Sequence, residues 1–367
     1  MRYLSALRAF IRRDLRIGRR RPDLVVQTVA VPLVVFGLAS IIFGASDAWP
    51  TALVDHDRSP ASRQVVSAVH GTTGAQGPYF DVLTTDAAQA GDLLRTGRGQ
   101  LAVELPDGFS TNQSMNVTTY NINTDTMKNV RLRLITAANR YDTQHGHQQV
   151  HATISKTKAQ DVSRTAFMGG GAIVLALLLG SCLIAANLFA MEQEIRTTKE
   201  LVLTPLGPAV GALGTAAAGA LLALLTAVPT ALMAVAFGFR TDLPGLGRAA
   251  LVLGPAMVGA AGLGVLTAQL LRTHRAIQPV IIMLALGTYF AAGGFIPVPG
   301  LPPTARDFAA LWPPSYVFEW VNPLLHGFTD QVPTSQLLTL LTTAVLGVAL
   351  AYLAGVREGR RPTTSGQ

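Results

Sequence analysis

Six stretches of this chain are too long and too apolar to be ordinary helices of a soluble domain. They run from about Leu24 to Gly44, Thr165 to Phe189, Ala209 to Phe237, Ala249 to Leu271, Ala276 to Phe295 and Leu337 to Ala354. A hydrocarbon core about 30 Å thick needs about 20 apolar residues as a helix. Backbone polar groups inside a bilayer must be satisfied within the segment, so the runs read as transmembrane α-helices. The third and fourth are rich in Ala and Gly, which lets membrane helices approach closely. Pro32, Pro229, Pro255 and Pro279 fall inside spans, where neighbouring helices tolerate a kink. The composition agrees. Only 14% of the 367 residues are charged, against about 25% in a soluble domain, and 49% are apolar, which excludes disorder.

The arginines set an orientation. Residues 1–23 carry Arg2, Arg8, Arg12, Arg13, Arg16, Arg19, Arg20 and Arg21. Arg196 and Lys199, Arg272 and Arg275, and Arg357, Arg360 and Arg361 fall on the same side if six spans are counted, while the opposite short loops hold Arg240, Arg248 and Arg306. The positive-inside rule then places both termini in the cytoplasm. The first apolar run follows so basic a segment, and is itself so long, that it reads as a retained span and not a cleaved signal. The net charge of +8 comes from Arg clusters beside spans and not from a basic domain, so nucleic acid is not an expected partner. Residues 1–17 read as an amphipathic helix, with Tyr3, Leu4, Leu7, Phe10 and Ile11 on one face and Arg8, Arg12, Arg13 and Arg16 largely on the other. That pattern suits a helix lying in the membrane interface near anionic headgroups.

The expected organisation follows: elbow helix 1–23, span 24–44, external domain 45–164, spans two to six over 165–355 and a cytoplasmic tail 356–367. The external segment reads as a small α/β layer. Strands are expected at Thr51–Val54, Phe80–Leu83, Gln100–Leu105 and Val117–Ile122. Helices are expected at Ala61–Val69 and Ala87–Leu94, and with interruptions from Val130 to Ser163. Strands separated by helices predict that layering. Asp55 and Asp57 lie in the turn after the first strand, and His145, His147 and His151 in the last helix. They read as a strand-ending turn and as solvated histidines, not as metal ligands. The single cysteine, Cys182, excludes an intrachain disulfide and a Cys-based zinc site.

Catalytic motifs are missing. There is no GxxxxGK[ST] loop to cradle nucleotide phosphates, no HExxH and no GxSxG. The span interiors hold almost no charge. Asn187, Gln269 and Gln278 are polar but sit near the cytoplasmic ends. Intramembrane charges mark ion and proton pathways, so an ion-coupled carrier is disfavoured. A transporter of this kind takes its energy from a partner.

The most informative stretch is Glu192-Gln193-Glu194-Ile195-Arg196-Thr197-Thr198-Lys199-Glu200-Leu201-Val202-Leu203-Thr204-Pro205. It is charged, favours helix, and is stopped by proline. It resembles the ExExGTxxxLxxTP signature of ABC-2-type transporter permeases, with Glu192, Glu194, Thr197, Leu201, Thr204 and Pro205 on matching positions and Arg196 in place of the usual glycine. Ala52–Pro60, the Leu94–Gly97 and Leu105–Phe109 pair, and Ala292–Pro297 with Leu301-Pro302 and Asn322-Pro323 are similar to further stretches of that family's long-ectodomain branch.

The resemblance implies the membrane permease subunit of a bacterial ABC exporter: an α-helical polytopic fold of six transmembrane helices, an amphipathic elbow helix, and an external α/β domain between spans one and two. It implies a coupling helix at 190–205 that meets a cytoplasmic ABC ATPase through Glu192, Glu194, Arg196, Thr197, Leu201, Thr204 and Pro205. No cofactor is expected on this chain, since ATP and Mg would sit on the ATPase. A second permease copy or paralogue and the lipid bilayer are the other implied partners, in a bacterial plasma membrane. The Pro-broken, aromatic segment 297–336 is expected at the external mouth, with Gly294, Pro297, Trp312, Tyr316, Trp320, Asn322 and Pro323. Its aromatic residues read as interfacial anchors more readily than as substrate contacts. The cargo read first is a hydrophobic or amphipathic drug-like compound, and a lipid or cell-envelope glycolipid is the alternative. A membrane-anchored scaffold or receptor with an external protein-binding domain is the reading from another class. A scaffold has no use for an ATPase-docking helix.

Overall fold

The computed structural model describes residues 2–44, 48–74, 77–95, 99, 101–119, 124–145, 162–194, 207–296, 298, 303–328 and 334–360. They fall into two compact units, Met1–Ile42 with Arg164–Gln367, and Phe43–Ser163.

The first unit is helical. Helix α1 spans Arg2–Arg20 and α2 spans Pro22–Gly44. The interruption at Arg21 is followed by Pro22, whose missing N–H suits the first helical position. After the second unit come α7 (Arg164–Glu194), α8 (Gly207–Ala236), α9 (Leu243–Leu271) and α10 (His274–Ala291), then the short α11 (Pro303–Leu311) and α12 (Pro313–Leu325), and finally α13 (Thr334–Gly359). Caps mark the boundaries. The Asp242 carboxylate accepts from the Gly245 N–H at 2.7 Å at the start of α9. Arg272, at φ 64°, ends that helix.

Among the described residues five helices are long and apolar enough to cross a membrane: Pro22–Ile41, Arg164–Glu194, Gly207–Ala236, Leu243–Leu271 and Leu337–Gly359. The expected fifth span, Ala276–Phe295, is instead the 18-residue α10. It opens on His274 and Arg275 and stops at Ala291, because Gly293 takes a left-handed φ of 97°, a conformation that costs residues with a Cβ. At 1.5 Å per residue its length is about 27 Å.

Helix α7 is the centre of this unit. Within its apolar stretch 89% of residues are buried inside the chain, against 22 to 50% for the other four. Small residues make that possible. A Cβ on Gly219 of α8 would stand 2.7 Å from that of Ala185. One on Gly264 of α9 would collide with the Cys182 carbonyl of α7. Helix α9 meets α13 in the same way, Gly262 against the Gly347 backbone. Around these contacts Leu175, Leu183, Val252, Val265 and Ile277 are buried.

The second unit is an α/β layer. Strands β1 (Trp49–Asp55), β4 (Phe80–Thr84), β5 (Leu101–Leu105) and β6 (Asn116–Thr119) form one sheet in the order β4-β1-β5-β6. β1 is parallel to both neighbours and β6 is antiparallel to β5. β2 (Thr73–Gly74) and β3 (Gly77–Pro78) pair separately. Helix α3 (Pro60–Gly71), the single turn α5 (Phe109–Asn112) and α6 (Thr124–His145) share a core with Leu53, Leu101 and Val103. Helix α4 (Ala87–Arg95) places Ala90 with Ala52, Val54 and Ala102. Strand alternation sends Leu53 and its neighbours Ala52 and Val54 to opposite faces, so both faces of β1 are covered.

The turn after β1 is held by its own acids. Asp55 accepts from the Arg58 N–H at 2.9 Å and the Ser62 hydroxyl at 2.8 Å. Asp57 accepts from the Gly108 N–H at 2.9 Å and the Ser110 N–H at 3.3 Å, tying this turn to the end of β5. The Ser59 hydroxyl and these N–H groups keep the Asp57 carboxyl below the ordinary carboxylate range. Both carboxylates are thus used by the chain's own donors. Among the described residues no group of three His, Cys, Asp or Glu is placed to hold a metal. His147 and His151 lie outside the described residues.

Candidate functional site

The central helix does not stop at the end of its apolar run near Phe189. It continues to Glu194, so Glu192, Gln193 and Glu194 form its last turn. Successive side chains on a helix point about 100° apart, and three in a row reach three neighbours.

Glu192 forms an ion pair with Arg13 of α1. Gln193 donates from Nε2 to a Glu358 carboxylate oxygen of α13 at 3.1 Å. Glu194 lies 3.5 Å from Nε2 of His274, the first residue of α10. The other ring nitrogen of His274 is 3.1 Å from the Asn187 amide oxygen, about two helical turns back along α7 from Glu194. The end of the most enclosed helix is therefore clasped to three others.

The α1 arm reaches deepest. Arg13 Nε also donates to Asp14 at 2.8 Å, and Asp14 accepts from the Thr215 hydroxyl of α8 at 2.8 Å. Asp14 is 1% exposed, a carboxylate that burial would penalise heavily if it were unpaired. The docking is close, because a Cβ on Gly214 would stand 2.5 Å from that of Phe10, and one on Gly18 would meet Leu222. Tyr3 and Leu4 stay exposed, as do Arg8, Arg12 and Arg16. The face of α1 that packs on α8 is thus its apolar face, with Asp14 and Gly18 set among Leu7, Phe10 and Ile11.

Of the expected coupling residues, Glu192 and Glu194 are placed here and they face different neighbours. Arg196, Thr197, Leu201, Thr204 and Pro205 lie outside the described residues. Sequence reasoning missed Asp14, Thr215, His274 and Glu358. Asp14 carried a signal, as the lone acid among the first 22 residues.

The second expected group gathers at α10–α12. Gly294 is seated against the Gly171 backbone of α7 and the Tyr289 ring, where a Cβ would not fit. The Trp312 indole N–H donates to the Thr288 hydroxyl at 2.9 Å, and its ring stacks on Phe308 at 5.9 Å. Tyr316 and Trp320 stack at 5.3 Å, with the Tyr316 hydroxyl donating to the Ala310 carbonyl. Trp312 precedes α12 as its cap, so only the latter two share a helix face. Asn322 is buried against Gly170, its amide unpaired among the described residues. Pro323 lies within α12. Pro297 falls outside the described residues.

No curated protein and no solved structure matches this chain. The family of ABC-2 transporter proteins matches residues 23–353, from the start of α2 almost to the end of α13 and across both units. With that span matched, this multi-pass membrane protein belongs to the ABC-2 family of transporter proteins.

Proposed function

We propose that this chain is the permease subunit of a bacterial ABC exporter that moves a hydrophobic or amphipathic compound outward, driven by a separate ATPase. The observation that carries the reading is the placement of Glu192, Gln193 and Glu194. They end the helix with the most enclosed apolar stretch and bond to α1, α13 and α10. The ATPase-docking stretch expected from sequence begins at these residues. A push delivered there acts on the bundle's central shaft and on three helices at once.

In this reading α10 also crosses, as the fifth of six spans, and both termini and the α7–α8 connection are cytoplasmic, as the arginine distribution requires. The unit Phe43–Ser163 is external. ATP and Mg belong to the partner, because this sequence has no phosphate-cradling loop. Two permease chains and two ATPase subunits make the working assembly.

The test is transport. Inverted membrane vesicles containing the chain and a co-expressed ATPase are expected to accumulate a fluorescent amphipathic dye when ATP is supplied. Accumulation that persists when this chain is omitted counts against the reading. So does its absence with a panel of amphipathic cations, anions and lipids.

A further inference from the structure

Helix α10 begins without a local fastening. Only Arg272 and Thr273 separate it from α9, and Thr273 at its N-cap makes no side-chain cap bond. Its first side chain, His274, makes the polar contacts to α7. Ring Nδ1 is 3.1 Å from the Asn187 amide oxygen, and Nε2 is 3.5 Å from a Glu194 carboxylate oxygen. Both atoms that face the ring are acceptors. An amide oxygen and a carboxylate have no hydrogen to give, and a neutral imidazole carries one N–H and one bare nitrogen. A neutral ring therefore bonds one of them and turns a lone pair toward the other. The protonated ring donates to both. Asn187 is fully buried, so its oxygen has no water to take in place of the ring.

We propose that His274 is a positioning residue that ties the start of α10 to the end of α7 in its protonated form and releases one of the two contacts when neutral. The charged groups around the ring can be named. The last turn of α7 carries Glu192 and Glu194 and no basic residue, at the negative end of that helix. Glu192 is paired with Arg13, and Glu194 faces His274. Arg272 at the end of α9 and Arg275 beside His274 carry the same charge as an imidazolium, and both are exposed to solvent. On α2, which reaches α10 through the bond between Gln27 and Gln278, Asp23 is paired with Arg21. Helix α11 meets the opposite end of α10, where Phe308 stacks on Trp312 and Trp312 bonds Thr288.

An imidazole exchanges its proton between about pH 5 and pH 8, and carboxylates stay ionised over most of that range. A group that bonds more in its protonated form adds stability at low pH and loses it as pH rises. The start of α10 is accordingly firmer in mild acid and looser in mild alkali. The consequence for force passed from α7 to α10 rests on the exporter reading, and the clasp itself does not.

The test is hydrogen exchange on the full chain in phospholipid nanodiscs. It is read at the Ala276 and Ile277 amides, which donate to the Thr273 carbonyl in the first turn of α10. Wild type, His274→Ala and His274→Lys are compared at one pH at a time, so the intrinsic pH dependence of exchange cancels. At about pH 6 wild type is expected to exchange about three- to fivefold more slowly than His274→Ala. At about pH 8 most of that difference is expected to be gone. His274→Lys, charged at both values, is expected to protect the turn equally at both. Where His274→Ala does not fold, His274→Lys is the reference, and wild type is expected to match it in acid and exchange faster in alkali. Wild-type protection that is the same at both pH values overturns the proposal. That is the result if the Asn187 amide turns its nitrogen to the ring, which a neutral imidazole satisfies and which pairs a nitrogen otherwise unbonded among the described residues. Protection that grows toward alkali also overturns it. No ATPase is needed, so this failure is separate from a failure of the exporter reading.

Discussion

Arg13 serves two carboxylates, and this predicts an asymmetry between its partners' mutants. Its guanidinium bonds Asp14 through Nε and pairs with Glu192 through a terminal nitrogen. The side chains are 35% exposed for Arg13, 2% for Asp14 and 12% for Glu192. Arg13→Ala removes the cation beside two carboxylates, one of them fully buried. Losing one partner of a buried pair costs about 3 kcal/mol or more. Glu192→Ala leaves Arg13 bonded to Asp14 and half in solvent, so about 1 kcal/mol is expected. Each 1.4 kcal/mol is a factor of ten, so α1 should undock about a hundredfold more often in Arg13→Ala and about fivefold more often in Glu192→Ala. Arg13→Lys keeps the charge but loses the fork that serves two acceptors, and belongs between them. Limited trypsin digestion reads this directly, because Arg8, Arg12 and Arg16 remain as cleavage sites on α1. When opening is fast compared with cleavage, the rate follows the open population. Equal cleavage of Arg13→Ala and Glu192→Ala, or the reverse order, would refute the shared-arginine argument.

Other predictions follow from particular contacts. Gly262→Ala puts a Cβ into the Gly347 backbone and should lower thermal stability in detergent by about 1–3 kcal/mol, whereas Gly254→Ala, with nothing within 4 Å of the added Cβ, should be nearly neutral. Asp57 is held below the ordinary carboxylate range in the folded chain, so its contribution is present at neutral pH and is lost as pH falls through that lowered value. Hydrogen exchange at the Gly108 and Ser110 amides should therefore be faster in Asp57→Asn than in wild type at neutral pH, and the difference should vanish in acid. For orientation, single cysteines at Ser114 and Lys199 in a chain lacking Cys182 should be labelled by an impermeant thiol reagent in whole cells at 114 only. Labelling at 199 alone contradicts the arrangement.

The membrane helices were legible because a bilayer imposes one requirement that composition alone can meet, a long run without charge. Their ends were less so. The Ala276–Phe295 run reads as one span, yet the backbone turns at Gly293, a position where apolarity carries no information about φ. The α/β unit was legible because its strands are short alternating or apolar runs separated by turn residues. Thr51–Val54 grew by two residues at its start and one at its end, but β1 lies where expected. The clasp was only half legible. Spacing alone says that Glu192 and Glu194 point apart on a helix. That one of them meets Arg13, 179 positions away, depends on α1 lying along α8. The amphipathic pattern gave α1 an apolar face but could not reveal that this face meets α8, where Gly18 of α1 and Gly214 of α8 allow the close approach.

In the proposed reading, force from an ATPase enters this chain through the segment that follows α7. The most direct measurement is ATP hydrolysis by the co-expressed ATPase, with wild-type chain and with Leu201→Asp, which sets a charge in an expected apolar contact. The account predicts no hydrolysis by the isolated chain. It predicts co-purification and stimulation with wild type, and weakened association with lost stimulation in Leu201→Asp, more so than in Glu192→Ala or Glu194→Ala. Hydrolysis by the isolated chain, or wild-type association and stimulation in all three variants, would contradict it.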